Sequence, residues 1–447
     1  MSELLIFSVN NDRTNYALRL IFEQMLGWEI HFEESKEAFN SWQGPSLIYL
    51  PEKPENCEAP FIQASNLLRE SDVKEQSLAP FHYENTLALF PQDSPSSLLP
   101  FDVFSATFYL VTRYEEYGQA EKTDENGRFL PEHSILYHMN CLGQPVINRY
   151  ANILRDKLLA YYPELDNNQV PFRPLSTIDV DTAFAHKGRK PFKFMGSLAQ
   201  AFFSGEWAKV KDKLEVSSNQ KRDPFDSFSY INRKHDEFKT ELIYFFLLSK
   251  GSKRDRNLPP DNKEYQRLIR SLAKNYKTGL HPSYISHQKY SRLKEEAAWY
   301  RKITNQHPFR SRQHFLKFTL PETYRNLIHC GIKEDYSMGY PSQPGFRAGI
   351  AWPFYFYDLY SEQTTSLKVF PVAYMDGTLK EYLSLSPEEA RVKIDELIES
   401  LGKTGGYFIS IWHNHTVSNY YDWKNWQKVF EHSLKRASGK TYEKKPA

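Results

Sequence analysis

The sequence predicts an α/β protein in two parts: a small helix-covered sheet, then a longer strand–helix alternation with its chemistry gathered at strand ends. Three observations carry this. Short apolar runs alternate with amphipathic helical stretches along most of the 447 residues. A polar, proline-bearing stretch, Asn167-Asn168-Gln169 with Pro171 and Pro174, separates residues 1–170 from residues 171–447. Titratable residues recur beside strand-like segments of the second part: Asp179/Asp181, His281, Arg312/His314, Asp335 and His413/His415. In parallel α/β folds the carboxyl ends of strands carry the chemistry.

In the first part LLIFSV (from Leu4), EIHFEES and SLIYL (from Ser46) read as strands, the last stopped by Pro51. Asn15 to Gly27 reads as an amphipathic helix with Gly27 as its cap. Residues 52–81 show no clear pattern, and residues 85–90 read as a strand. Asp102 to Tyr117 reads as a helix with Phe104, Phe108, Leu110 and Val111 inward, and Arg113, Glu115 and Glu116 near its end. EKTDENGRF is a polar loop, and Val146 to Tyr161 is a second helix. In the second part strands are expected at Leu175–Val180, LIYFFLL (from Leu242), YKTGLH, SRQHFLKF, LKVFPVAYMD and GGYFISIWHNH. Helices are expected at 206–220, 265–276, 291–303, 321–330, 387–402 and 421–434. SKGSKRDRNLPPDNKE reads as a surface loop.

Composition narrows the function. Hydrophobic residues are 40% and aromatics 15%, so the chain is globular. A net charge of +2, from 57 basic and 55 acidic residues, argues against an electrostatic nucleic-acid binder. The pair Arg189-Lys190 and the SKGSKRDR run read as solvated loops. Cys57, Cys141 and Cys330 are too few and too scattered for a disulfide framework or a cysteine zinc site. No apolar run is long enough to span a bilayer and the amino terminus lacks a signal pattern, so a cytoplasmic protein is expected.

The organising stretch is Ser176-Thr177-Ile178-Asp179-Val180-Asp181. Residues at i and i+2 of a strand point the same way, so Asp179 and Asp181 can face one site. Two carboxylates that close repel unless a proton or a cation lies between them. A short Asp-x-Asp can also be a helix cap beside a solvated loop acid, and a lone His281 is more often structural than a ligand. The recurrence of such groups beside separate strands favours a metal site.

The motif order resembles the polysaccharide deacetylases of carbohydrate esterase family 4, over roughly residues 175–434. Thr177-Ile178-Asp179-Val180-Asp181 resembles their Asp-Asp pair with one residue inserted. Gly279-Leu280-His281-Pro282-Ser283-Tyr284 is similar to their His-rich turn, Arg312-Gln313-His314-Phe315 to their Arg-led turn, and Ile411-Trp412-His413 to their last motif. The DYSMGY and GFRAG strings look like a bacterial branch fused to an amino-terminal domain of unknown role. The resemblance implies a deformed (β/α) barrel of about seven strands, preceded by a smaller α/β domain. It also implies a metal-dependent hydrolase that removes an acetyl group from an N-acetylated sugar of a polysaccharide or glycan precursor.

The same resemblance implies a divalent metal, zinc being expected, on Asp181, His281 and His314. Asp179 is then the base, His413 protonates the departing amine, and Arg312 holds Asp179 or Asp335. Tyr284, Asp335 and Arg347 are expected at the substrate, although Arg347 also suits a salt bridge bracing a loop. Tyr284, Trp352 and Trp412 could stack on sugar faces, with Asp376 and His415 in reserve. The sequence departs at Ile285, where the family's second motif has its second histidine. His287 and His314 are the replacements, His314 being favoured because it lies on a strand-like segment. The departure leaves open a catalytically inactive carbohydrate-binding protein. Asp-x-Asp alone also fits a glycosyltransferase holding a metal–nucleotide pair, but that leaves His281 and His413 without a role. A carbohydrate is the expected partner, with no nucleic acid and no membrane span; the oligomeric state is not readable.

Overall fold

The computed structural model describes residues 2–118, 122–188, 191–218 and 220–439; the Arg189-Lys190 pair lies outside the described residues. Strands β1 (Glu3–Phe7), β2 (Glu29–Glu33), β3 (Ser46–Leu50) and β4 (Phe61–Gln63) form a parallel sheet in the order β2-β1-β3-β4. Buried β3 carries the continuous apolar run that a sheet covered on both faces requires. The helix after β1 starts earlier than its periodicity suggests. Asn11 caps it by accepting from Thr14 N, and it runs from Asp12 through a π-helical turn to Met25. Gly27, at φ +72°, closes it in the left-handed region. A short hairpin, β5 (Phe81–Tyr83) with β6 (Thr86–Ala88), follows.

The helix expected to reach Tyr117 covers only Val103–Val111. Asp102 caps it, accepting from Phe104 N and Ser105 N. Arg113 ends it by turning left-handed, at φ +56°. That turn sends its fully buried guanidinium to Glu115 (2.8 Å), Glu116 (2.7 Å) and the Tyr340 hydroxyl (2.9 Å). The helix Val146–Tyr161 has the bounds its pattern predicts.

The second sheet contains β7 (Phe172–Val180), β8 (Glu241–Leu247), β9 (Lys277–His281), β10 (Arg310–Ser311), β11 (Glu334–Asp335), β12 (Phe354–Asp358), β13 (Gln363–Val369), β14 (Tyr374–Met375) and β15 (Gly406–His413). Its order is β12-β13-β11-β10-β9-β8-β7-β15-β14, parallel throughout except for β12 against β13. The last long strand thus returns beside the first, with His413 level with Asp179. The run after β13 reaches both ends of the sheet. Phe370 N and Val372 N donate to Asp335 O and Met338 O on one side, and Ala373 N donates to Ile409 O on the other. Leu175, Ile243, Phe245, Tyr336, Phe370 and Ile411 form one buried cluster.

Four further expectations change. LKVFPVAYMD is two strands, because Pro371 has no N–H to continue the ladder. Of SRQHFLKF only Ser311 lies in a strand, β10; Phe315 (φ +63°) and Leu316 (φ +50°) then turn the chain away from the sheet. The final helix starts at Trp426, after a short 3₁₀ turn at Tyr421–Trp423. SKGSKRDR is not wholly a surface loop, since Asp255 within it is only 1% exposed. One apolar core runs through both sheets' surroundings, with the Tyr16 ring against Phe108 (6.0 Å) and Tyr357 (5.1 Å). Among the described residues no helix is long and apolar enough to cross a membrane.

Candidate functional site

The carboxyl end of β7 delivers two acids to one place. Asp181 Oδ1 lies 3.1 Å from His281 Nε2, at the end of β9. Asp181 Oδ2 lies 3.4 Å from His314 Nε2 and 3.5 Å from His413 Nε2. Asp179 Oδ2 is 3.8 Å from His281 Nε2 and 3.5 Å from Arg312 Nη1. The sequence-predicted cluster is therefore brought together from β7, β9, β15 and the turn after β10.

Each imidazole is held by its far nitrogen. His281 Nδ1 faces the Arg312 carbonyl, His314 Nδ1 is 2.9 Å from Asp255 Oδ1, and His413 Nδ1 is 2.8 Å from Asp376 Oδ1. An N–H spent in this way leaves Nε2 of a neutral ring as a lone pair. Three lone pairs then converge on a carboxylate, which is repulsive unless a proton or cation lies between them. With protons alone, burial works against the charged rings, but Asp181 outweighs it and lifts His314 to about 9. Asp376 does the same for His413, lifting it to about 10. Burial would push the Asp181 carboxyl up, yet His314, His281 and His413 hold it well below the usual range.

A cation satisfies Asp181, His281 and His314 without protons, while Asp376 supports a proton on His413. The ligand atoms of Asp181, His281 and His314 lie within 4.8 Å of one another. Asp181 Oδ1 and His281 Nε2 are buried with no hydrogen-bond partner. One carboxylate and two neutral imidazoles with room beside them suit zinc. The Asp255 carboxylate on His314 and the Arg312 carbonyl on His281 are the outer partners that orient such ligands. Asp255→Ala is expected to weaken metal affinity about 10- to 100-fold, measured by competition against a chromophoric chelator; unchanged affinity would show that His314 needs no such hold.

The cluster opens into a cavity of about 420 Å³ that also meets Gln313, Tyr382, His415 and Trp423. Arg312 is fully buried beneath it, with Nη2 donating to Thr177 Oγ1 (2.8 Å) and its guanidinium over the Phe245 ring (5.0 Å). It braces Asp179.

Other expected residues stand elsewhere. Asp335 is fully buried, accepts from Ser311 Oγ, Ser337 N and Ser337 Oγ, and does not line the cavity. Arg347 is 1% exposed, clamps Glu116 with two N–H groups and lies over Phe318 and Tyr340, so it is a brace and not a substrate contact. The Tyr284 hydroxyl donates to Asn126 and its ring packs edge-on against Phe315, outside the cavity lining. Trp412 is fully buried and donates to the Tyr374 hydroxyl, while Trp352 packs on Tyr407 near the far end of β15. His287 is turned to the Tyr284 carbonyl, and Ile285 faces a separate small cavity. His415 lines the main cavity, where burial pushes its imidazole down to about 4. Asp255 went unforeseen; a lone acid inside a basic run was its only local signal.

Residues 4–163 match the model of a family of unknown function, DUF7033. No curated protein matches the chain. Among solved structures the chain is similar to a presumed polysaccharide deacetylase from Mycobacterium smegmatis, at 12% identity over 62% of this chain and 86% of that one, with a TM-score of 0.40. It is similar to a presumed glycoside hydrolase/deacetylase from Parabacteroides distasonis, at 11% identity over 61% and 68%, with a TM-score of 0.34. It is also similar to 7,8-dihydropteroate synthase from Vibrio fischeri, at 11% identity over 62% and 95%, with a TM-score of 0.28. These likenesses carry no argument about chemistry; the site's own geometry does.

Proposed function

We propose that this chain is a metal-dependent hydrolase that removes an acetyl group from an N-acetylated sugar, working from a deformed (β/α) barrel. The observation that carries it is the meeting of Asp181, His281 and His314 beside a second carboxylate, Asp179. Asp181, His281 and His314 would hold a divalent metal, zinc by the donor set, which supplies a water of lowered pKa and polarises the acyl oxygen.

The rest belongs to the chain. Asp179 Oδ1 is buried without a partner, so it is free to take a proton from the attacking water. Arg312 holds that carboxylate in place. His413, held protonated by Asp376, gives its proton to the departing amine. Gln313, Tyr382 and Trp423 offer polar and aromatic surface to the sugar. An inactive carbohydrate binder or a glycosyltransferase would have no use for a free Asp179 oxygen beside this cluster.

Acetate release from N-acetylated sugars tests this. Chelation should abolish it and zinc restore it; release that survives exhaustive chelation contradicts the reading. Asp376→Asn should also move the alkaline limb of kcat/KM to lower pH. Activity needs His413 protonated, and Asp376 is what outweighs burial to raise it. An unmoved limb would remove His413 from the acid role.

A further inference from the structure

We propose that the sugar taken by this cavity is anionic, with its carboxylate or phosphate held by Lys253, Arg254 and Arg256. The sugar part rests on the hydrolase reading; the anion part rests on charge accounting. Four acids line the cavity: Asp179, Asp181, Asp376 and Glu381. Asp179 is beside Arg312, Asp181 faces three histidines, and Asp376 is bonded to His413. Arg128, entering from the amino-terminal part, is paired with Asp124 at 2.6 Å. Lys253, Arg254 and Arg256 line the same cavity, and no carboxylate pairs with any of them among the described residues. Three adjacent unpaired cations against one remaining acid, Glu381, make a positive wall.

The wall is built in place. Ser252 Oγ accepts from Arg254 N and Asp255 N and donates to Asp255 Oδ2. Asn257 Nδ2 donates to the carbonyls of Ser249 and Leu258. Asp255 then reaches inward to His314, so the loop bearing the cations is fastened to the candidate metal centre itself. The Arg254 guanidinium rests over the rings of Tyr284 (5.5 Å) and Phe315 (5.9 Å), which orders it. Grouped like charges repel, and an anion at the wall relieves that repulsion. Arginine's planar fork suits carboxylate and phosphate alike. A cavity of about 420 Å³ is within the size range of small-molecule sites.

The test is calorimetric titration of the zinc-loaded full chain with N-acetylglucosamine, N-acetylglucosamine 6-phosphate and N-acetylglucosaminuronic acid. At least one anionic sugar should bind about ten-fold tighter than the neutral one at low salt. The preferred arm identifies phosphate or carboxylate as the group. The advantage should shrink in about 0.5 M sodium chloride and vanish in the triple variant Lys253→Gln, Arg254→Gln, Arg256→Gln, with the melting temperature as fold control. Equal affinity for all three sugars would overturn the proposal, as would a triple variant that keeps the preference. Acetate release is scored separately: a preference for the anionic sugars without turnover upholds the anion site and removes the hydrolase reading.

Discussion

Asp179→Asn is expected to lower kcat/KM for acetate release about 10²- to 10⁴-fold, the range a positioned base contributes, while metal affinity stays within a few-fold. The asymmetry between the two acids drives this. Asp181 puts one oxygen 3.1 Å from His281 and the other 3.4 Å from His314. Asp179 lies farther off, at 3.8 Å from His281, and its other oxygen is unpartnered. Asparagine keeps the shape and cannot take the proton. Because Arg312 would lose its charged partner, a modest fall in stability should accompany the loss. If Asp179→Asn instead empties the site of metal as fully as Asp181→Asn does, Asp179 is a ligand and the base lies elsewhere.

Glu116→Ala is expected to destabilise the protein by about 3–5 kcal/mol, the usual cost of stripping a buried ion pair of one partner. Glu116 accepts from Arg113, on its own segment, and from Arg347, 231 residues away. Burial would raise its carboxyl, but Arg347 and Arg113 together hold it below the ordinary range. Removing it leaves two buried guanidinium groups short of charge, at the seam between the amino-terminal part and the second sheet. Thermal and urea unfolding would register the loss. A change below about 1 kcal/mol, the scale of an exposed pair, would mean that the seam relaxes or admits water.

What the sequence disclosed followed the range of each signal. The apolar run ending at Asp179 and Asp181, the strand ending at His281 and the strand ending at His413 are local patterns, and the sheet places all three where those patterns imply. The same holds for the helix Pro387–Gly402, whose Ser386 and Glu389 form a capping box. Signals that depended on distant partners were lost. Arg347 in a glycine-flanked turn suited a substrate contact or a loop-bracing salt bridge equally, because its partner Glu116 is remote in sequence. Asp255 looked solvated because its neighbours are cations and its partner, His314, is 59 residues on. SRQHFLKF alternates like a strand, and only the positive φ at Phe315 and Leu316 turns it into the bend that places His314. Trp412 looked available for stacking because a motif cannot say which face of a strand is covered.

Metal content measured on the purified full chain, beside the single variants Asp181→Ala, His281→Ala and His314→Ala, addresses the central claim most directly. About one equivalent of a divalent ion is expected in the parent chain, resistant to dialysis, and little or none in each variant. A parent chain that binds no ion after zinc loading, or variants that hold it as firmly as the parent, would contradict a shared ion on these three side chains.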